Sequence, residues 1–317
     1  FLLTAVQNWT AHPGVRGWPL ALVVGLWAVP RCLLPWLGEG NPVLMMMDLM
    51  WLPLCAWFLA KPIIVTRQWR NLFFVPLLVV LTLLNGASWL WHEEWIVIEH
   101  LLITTVLLFT TLIAVMGGRV IPFFTARATG TEKALPLPWL ERIALASLWL
   151  ILLLWLVLPT QWVTGIQMFP LYIVAAGAHL YRQLRWRPGT TVAHPLLWSL
   201  HLGYAWLLVA SLGMAAWHLG WLAYPSLASH ALAVGAMGGL ILAMMARVSL
   251  GHTGRALQPP KAMAWAFGLL NLGALIRVSA GGRWLWLAAL CWGVAFALFA
   301  WHYAPMLCRA RVDGHPG

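Results

Sequence analysis

Charge is what this 317-residue chain has least of: Asp, Glu, Lys and Arg make up 9% of it, with 8 acids against 19 basic residues. A soluble domain of ordinary composition carries about 25% charged residues, so a water-soluble fold is excluded. The formal charge of +11 would suit a nucleic-acid binder in a soluble chain. Here the basic residues sit in short segments between apolar runs, where they report orientation, and no nucleic-acid partner is expected. Cysteine is equally sparse. Cys32, Cys55, Cys291 and Cys308 lack metal-type spacing and fall in or beside apolar helices, where a free thiol packs as a small hydrophobe. No Walker A loop, G-x-S-x-G elbow or H-E-x-x-H pair occurs, which removes the common soluble-enzyme motifs.

What fills the chain instead is apolar: hydrophobic residues reach 62%, with 24 Trp. They gather into ten segments, at 18–37, 43–60, 72–92, 96–117, 140–158, 164–182, 195–219, 226–249, 262–280 and 283–305. A run of about twenty residues at ~1.5 Å per residue spans the ~30 Å of a bilayer's hydrocarbon. In lipid the backbone must satisfy its own polar groups, so the expected fold is an all-α polytopic membrane helix bundle, one membrane domain over residues 1–317. The lipid bilayer is the first partner.

Alternating the loops between two sides puts Arg16, Lys61, Arg67, Arg70, Arg119, Arg127, Lys133, Arg182, Arg185, Arg187, Arg255, Lys261, Arg309 and Arg311 on one side, with Arg142 and Arg247 at its helix ends. The other side has Arg283, with Arg31 and Arg277 inside nearby helices. This asymmetry makes the first side cytoplasmic and places the carboxy terminus inside. The outer loops carry Glu39, Glu93 and Glu94. Trp18, Trp36, Trp91, Trp95, Trp221 and Trp284 near span ends form an aromatic belt. The longest inner loop is expected at 118–139. Phe1–Val6 reads as the inner end of a helix whose start is absent, and restoring the lost pair gives an intact protein of about twelve spans.

Arg119-Val-x4-Thr125-x-Arg127 recurs as Arg247-Val-x4-Thr253-x-Arg255, four spans later, and a weaker copy lies at Ala5–Ala11. Three four-helix units follow, with the two turns in equivalent positions. His100 and His230 each lie about five residues into the span before the repeated turn. A neutral imidazole is the usual axial ligand of haem iron and a good copper ligand, so two of them at one depth can hold a planar cofactor. The competing reading is that each bonds a neighbouring helix or a headgroup.

Arg31, Asp48, His92, Glu99, His218 and Arg277 cluster at the same outer level, and each costs about 2.5–3.5 kcal/mol at the bilayer centre, so they face a polar cavity or one another. Arg31 and Arg277 suit haem propionates; pairing with Asp48 and Glu99, or snorkelling to the surface, is the alternative. Nearer the cytoplasm lie His179, His201 and His302. In His201-Leu-Gly-Tyr204-Ala-Trp206, Gly203 permits close helix approach, and His201 is either a second metal or haem ligand or a helix-packing hydrogen bonder. His12, His194, His252 and His315 fall in loops or tails, His252 as a turn residue near headgroups. Met45, Met46, Met47 and Met50 point around their helix and read as lipid-facing packing, not a soft copper site.

Phe1–Thr10 with Gly17–Leu20, the Gly117–Thr125 segment, His201–Trp206 and His230–Gly235 running to Arg247–Arg255 together resemble the NnrS family. The resemblance covers nearly the whole chain; Gln7, where Pro is expected, is the one departure noted. It implies a polytopic protein of the bacterial cytoplasmic membrane containing haem, expected as b-type, and copper, and acting in the response to nitric oxide in denitrifying and related bacteria. The family's histidine motifs fall on His201, His230 and His252, so the metal-ligand set expected is His230, His100, His201 and His252. By analogy with haem-copper oxidases, His230 binds a haem with a histidine from the missing second helix, while His100 faces a neighbouring metal; too few histidines are present for a proton-pumping oxidase. The function expected is a haem-binding membrane protein that senses, sequesters or turns over nitric oxide. The alternatives are a secondary transporter, equally natural for twelve spans with repeats and buried charges, and a metal-delivery or assembly factor.

Overall fold

A computed structural model describes residues 2–38, 40–280 and 282–314. Phe1, Glu39 and His315, used above, lie outside them. The chain is 80% helical, with no strand among the described residues, as a backbone that must satisfy itself in lipid requires. The principal helices are α1 (Leu2–Thr10), α2 (Trp18–Leu37), α3 (Pro42–Val65), α4 (Phe74–Leu90), α5 (Trp95–Thr129), α6 (Pro138–Val157), α7 (Phe169–Arg185), α8 (Pro195–His218), α9 (Ser226–His252), α10 (Ala262–Ser279) and α11 (Leu285–Leu307). Proline marks several of the starts. Pro42, Pro138 and Pro195 each occupy the first turn, where a missing N–H costs nothing. Asn41 caps α3, its Oδ1 accepting from the backbone N–H groups of Val43 and Leu44 at 3.0 and 3.2 Å.

Among the described residues nine helices are long and apolar enough to cross a membrane: α2, α3, α4 together with the 3-10 turn before it (Trp69–Leu90), α5, α6 and α8 to α11. The expected segment 164–182 differs. A 3-10 turn, Ile166–Met168, leads into α7, whose 17 residues extend ~25 Å, short of the hydrocarbon thickness on their own. The expected loop 118–139 differs more. α5 continues for 35 residues through Gly117, Gly118 and Pro122 to Thr129, and only the segment from Gly130 (φ +66°) to Leu137 is loop. The Arg119–Arg127 motif is therefore helical, whereas the matching Arg247–Arg255 motif leaves its helix at His252. The two are not equivalent turns. His252 is the last helical residue and not a loop residue.

The chain divides into two compact units, Phe1–Thr105 and Val106–Gly317, with the boundary inside α5. In the first, α3 packs against α1, α2 and α4 over Leu52, Leu59, Ile63, Phe74 and Leu77, and Trp9 stacks on Phe74 at 5.4 Å. In the second, α8 is the central element, packed on α7, α9 and α10, and α10 pairs with α11. The tryptophans expected at span ends are exposed, Trp18, Trp36 and Trp221 by 85%, 84% and 78%; rings facing outward suit a membrane interface. Met46 and Met50 likewise face outward.

In α9 the stretch Ala231–Gly238 is a π-helix between α-helical ends. Small residues let it lie against α8. A Cβ on Gly235 would fall 2.4 Å from the Trp206 ring, and one on Gly203 would fall 2.8 Å from Leu240 and 3.2 Å from that residue's backbone nitrogen. Gly203 thus has the close-approach role expected of it. π-helical turns are uncommon and concentrate at functional sites.

Candidate functional site

Two polar clusters stand out in the second unit. At one end, the Arg182 guanidinium on α7 grips the Glu141 carboxylate on α6, through Nε to Oε1 at 2.8 Å and a second bond from Nη2 to Oε2. Arg182 Nη1 donates to the carbonyl of Ala114 at 2.7 Å and to the Tyr204 hydroxyl at 3.0 Å. His179 Nε2 lies 2.9 Å from the carbonyl of Ala144, which can only accept, so Nε2 carries the proton. His179 Nδ1 then accepts from Tyr204, 2.6 Å away. The chain of donors runs one way, from Arg182 through Tyr204 and His179 to a backbone carbonyl, and leaves no open position on His179.

Gly117 and Gly118 on α5 are the socket for this cluster. A Cβ on Gly117 would lie 2.8 Å from the Tyr204 ring, and one on Gly118 would lie 1.9 Å from Arg182 Nη2. The Gly-Gly pair is a close-packing device with a specific cargo, a buried guanidinium that needs the space of a side chain.

His201 sits next to this cluster on α8. Its Nε2 is 3.0 Å from the Thr125 hydroxyl, its carbonyl accepts from Gln183 Nε2 at 2.7 Å, and its buried Nδ1 has no partner. The Tyr204 hydroxyl, on the same helix as His201, serves His179 and Arg182. One residue from Thr125, the Phe124 ring carries the Arg247 guanidinium 3.7 Å from its centroid.

The second cluster surrounds His230. Its Nδ1 faces the carbonyl of Ser226 at 2.5 Å, which places the proton on Nδ1 and the lone pair on Nε2. Arg277 Nη2 on α10 lies 3.1 Å from Nε2 and donates to that lone pair. Trp206 Nε1 donates to Asn271 on the same α10 at 2.8 Å, so α8, α9 and α10 are tied together beside the π-helix. α8 ends at His218, which is buried, stacked on Tyr172 at 5.2 Å, and without a hydrogen bond of ordinary geometry at either ring nitrogen.

Of the residues expected to form a site, His230 and Arg277 are brought together. His201 is not part of that pair: α8 meets α9 beside His230 at Gly213, whose Cβ would lie 3.0 Å from Ala228, and His201 is twelve positions earlier, ~18 Å along the helix. His252 is exposed at the far end of α9, twenty-two residues from His230. His100 and Arg31 belong to the first unit. There Arg31 Nη1 binds Asp48 Oδ1 at 2.6 Å, and Asp48 Oδ2 accepts from Asn85 Nδ2 at 2.9 Å and Trp89 Nε1 at 3.0 Å. Arg31 is therefore paired with a carboxylate, beside a cavity of about 350 Å³ lined also by Ser88 and His92. Glu141, Gln183, Asn271 and Thr125 were absent from the expected site. Glu141 alone gave a signal, as an acid in a basic segment.

A haem is tested by His230: one imidazole, with its Nδ1–H anchored on a backbone carbonyl and its Nε2 lone pair directed at a cation, fits one axial ligand. No group of three or more His, Cys, Asp or Glu side chains positioned to hold a metal ion occurs among the described residues.

Compared with known families, residues 1–311 match the family described as NnrS protein. The comparisons with curated proteins and with solved structures yield no match.

Proposed function

The chain belongs to the NnrS family, and we propose that it acts in the nitric oxide response as a haem-binding membrane protein of the bacterial cytoplasmic membrane, with its carboxy terminus in the cytoplasm. Family membership supports the part in the nitric oxide response. The observation that supports haem is the His230 arrangement, in which the ring proton is committed to Ser226 and the Nε2 lone pair accepts from Arg277, a bond that a bound iron would replace. Haem, when bound, supplies an iron that takes nitric oxide. His230 would hold it through Nε2, and Arg277, released from that nitrogen, would be a planar cation suited to a propionate carboxylate. Nitric oxide is small and apolar and reaches such a site through the bilayer, so no polar channel is required.

The transporter reading finds less support. Its buried charges should line an open path near mid-membrane, yet Arg182 and Glu141 are closed upon each other and Asp48 is saturated with donors. Visible spectra of protein purified from haem-replete membranes test the proposal. A Soret band that shifts on anaerobic addition of nitric oxide is expected. Protein without a Soret band would overturn the haem reading and leave transport or metal delivery.

A further inference from the structure

The Glu141–Arg182 pair shows how this fold treats a buried guanidinium: it is given a carboxylate, a carbonyl and a hydroxyl. Arg247 is treated otherwise. It is 8% exposed, its guanidinium carbon lies over the Phe124 ring, 3.7 Å from the centroid, and the charge that acts on it is another cation, Arg127, three residues beyond Phe124 on α5. Among the described residues no carboxylate pairs with either arginine. A ring against the guanidinium face leaves the five N–H donors, which lie in the guanidinium plane, available at its edge. Two like charges on neighbouring helices, neither with a carboxylate partner among the described residues, are stable together when an anion lies between them.

We propose that Arg247 and Arg127 form a binding site for a phosphate-type oxoanion, in which the Arg247 fork binds two oxygens and Arg127 closes the site from its exposed side. Phe124 packs on the Arg247 guanidinium, and His201, whose ring meets the neighbouring Thr125 through Nε2, leaves a buried Nδ1 unpartnered at the same end of the unit. The oxoanion is either the phosphodiester of an anionic lipid or a free ion. The site is independent of the haem reading.

Full-length protein in phosphatidylcholine nanodiscs decides this. Thermal unfolding is followed with added phosphatidylglycerol, and separately with sodium phosphate, each against sodium chloride of equal ionic strength. An upward shift in Tm beyond the chloride control is expected in one arm, and which arm shifts identifies the source. Arg127→Gln, an exposed change that spares the core, and Arg247→Gln should each weaken the apparent affinity about ten- to a hundredfold, the worth of a charge-assisted bond. Arg247→Lys, which keeps the charge but loses the fork, should fall between. No shift beyond chloride in either arm, or a shift that Arg127→Gln leaves unchanged, overturns the site. If Arg247→Gln does not fold, the Arg127→Gln comparison decides alone.

Discussion

A guanidinium buried in a membrane domain is stable only while its acceptors stay in place, and Gly118 is the residue that gives Arg182 room to reach them. Gly118→Ala puts a methyl carbon where Arg182 Nη2 lies, so the side chain must leave Glu141. The expected loss is about 3 kcal/mol, in the range for breaking a buried ion pair. Thermal unfolding of Gly118→Ala in wild-type and Arg182→Met backgrounds checks it: the substitution should cost far less once Arg182 is gone, because the collision and the stranded charge go with it. An equal cost in both backgrounds would assign Gly118 to helix packing alone. What Gly117 and Gly118 pack against was not readable from the sequence. The partnership of Glu141 and Arg182 joins two helices forty-one residues apart, and nothing local to either residue announces it.

At the scale of elements, the π-helix of α9 depends on glycine where it meets α8. Gly235→Ala drives a Cβ into the Trp206 ring, which must tilt away and release Asn271 on α10. A destabilisation of about 1–3 kcal/mol is expected for such overpacking. In a Trp206→Ala background the same change should be close to neutral in thermal unfolding; a cost that persists there would contradict the contact. The helices themselves were legible because apolar runs in lipid have few other choices. The exceptions share one cause. Gly117, Gly118 and Pro122 read as breakers by the rules of soluble helices, yet membrane helices tolerate them, and α5 runs straight through to Thr129. The π-helix left no mark in the periodicity, since a short run of Ala and Gly fits either winding.

At the scale of the whole molecule, the topology proposed from the bias of Lys and Arg puts residues 186–194 and the carboxy terminus in the cytoplasm. Gly189 is exposed, with open space around its Cα, and Tyr224 is exposed at the other end of α8 and α9. In a background with Cys32, Cys55, Cys291 and Cys308 replaced by alanine, Tyr224→Cys should react with a membrane-impermeant thiol reagent in intact cells and Gly189→Cys should not. The reverse pattern would invert the topology. The central claim, that this family member holds haem on His230, rests on a residue that sequence motif and geometry single out together, with Arg277 beside its Nε2. The most direct measurement is the haem-to-protein ratio, with the reduced-minus-oxidised visible spectrum, of His230→Ala against wild type purified from the same haem-replete membranes. Loss of an iron–nitrogen bond predicts that the variant inserts normally and loses its haem, while loss of a packing hydrogen bond alone, worth about 0.6–2 kcal/mol in a membrane, would leave the ratio unchanged. Full haem content and an unaltered spectrum in His230→Ala would contradict the assignment.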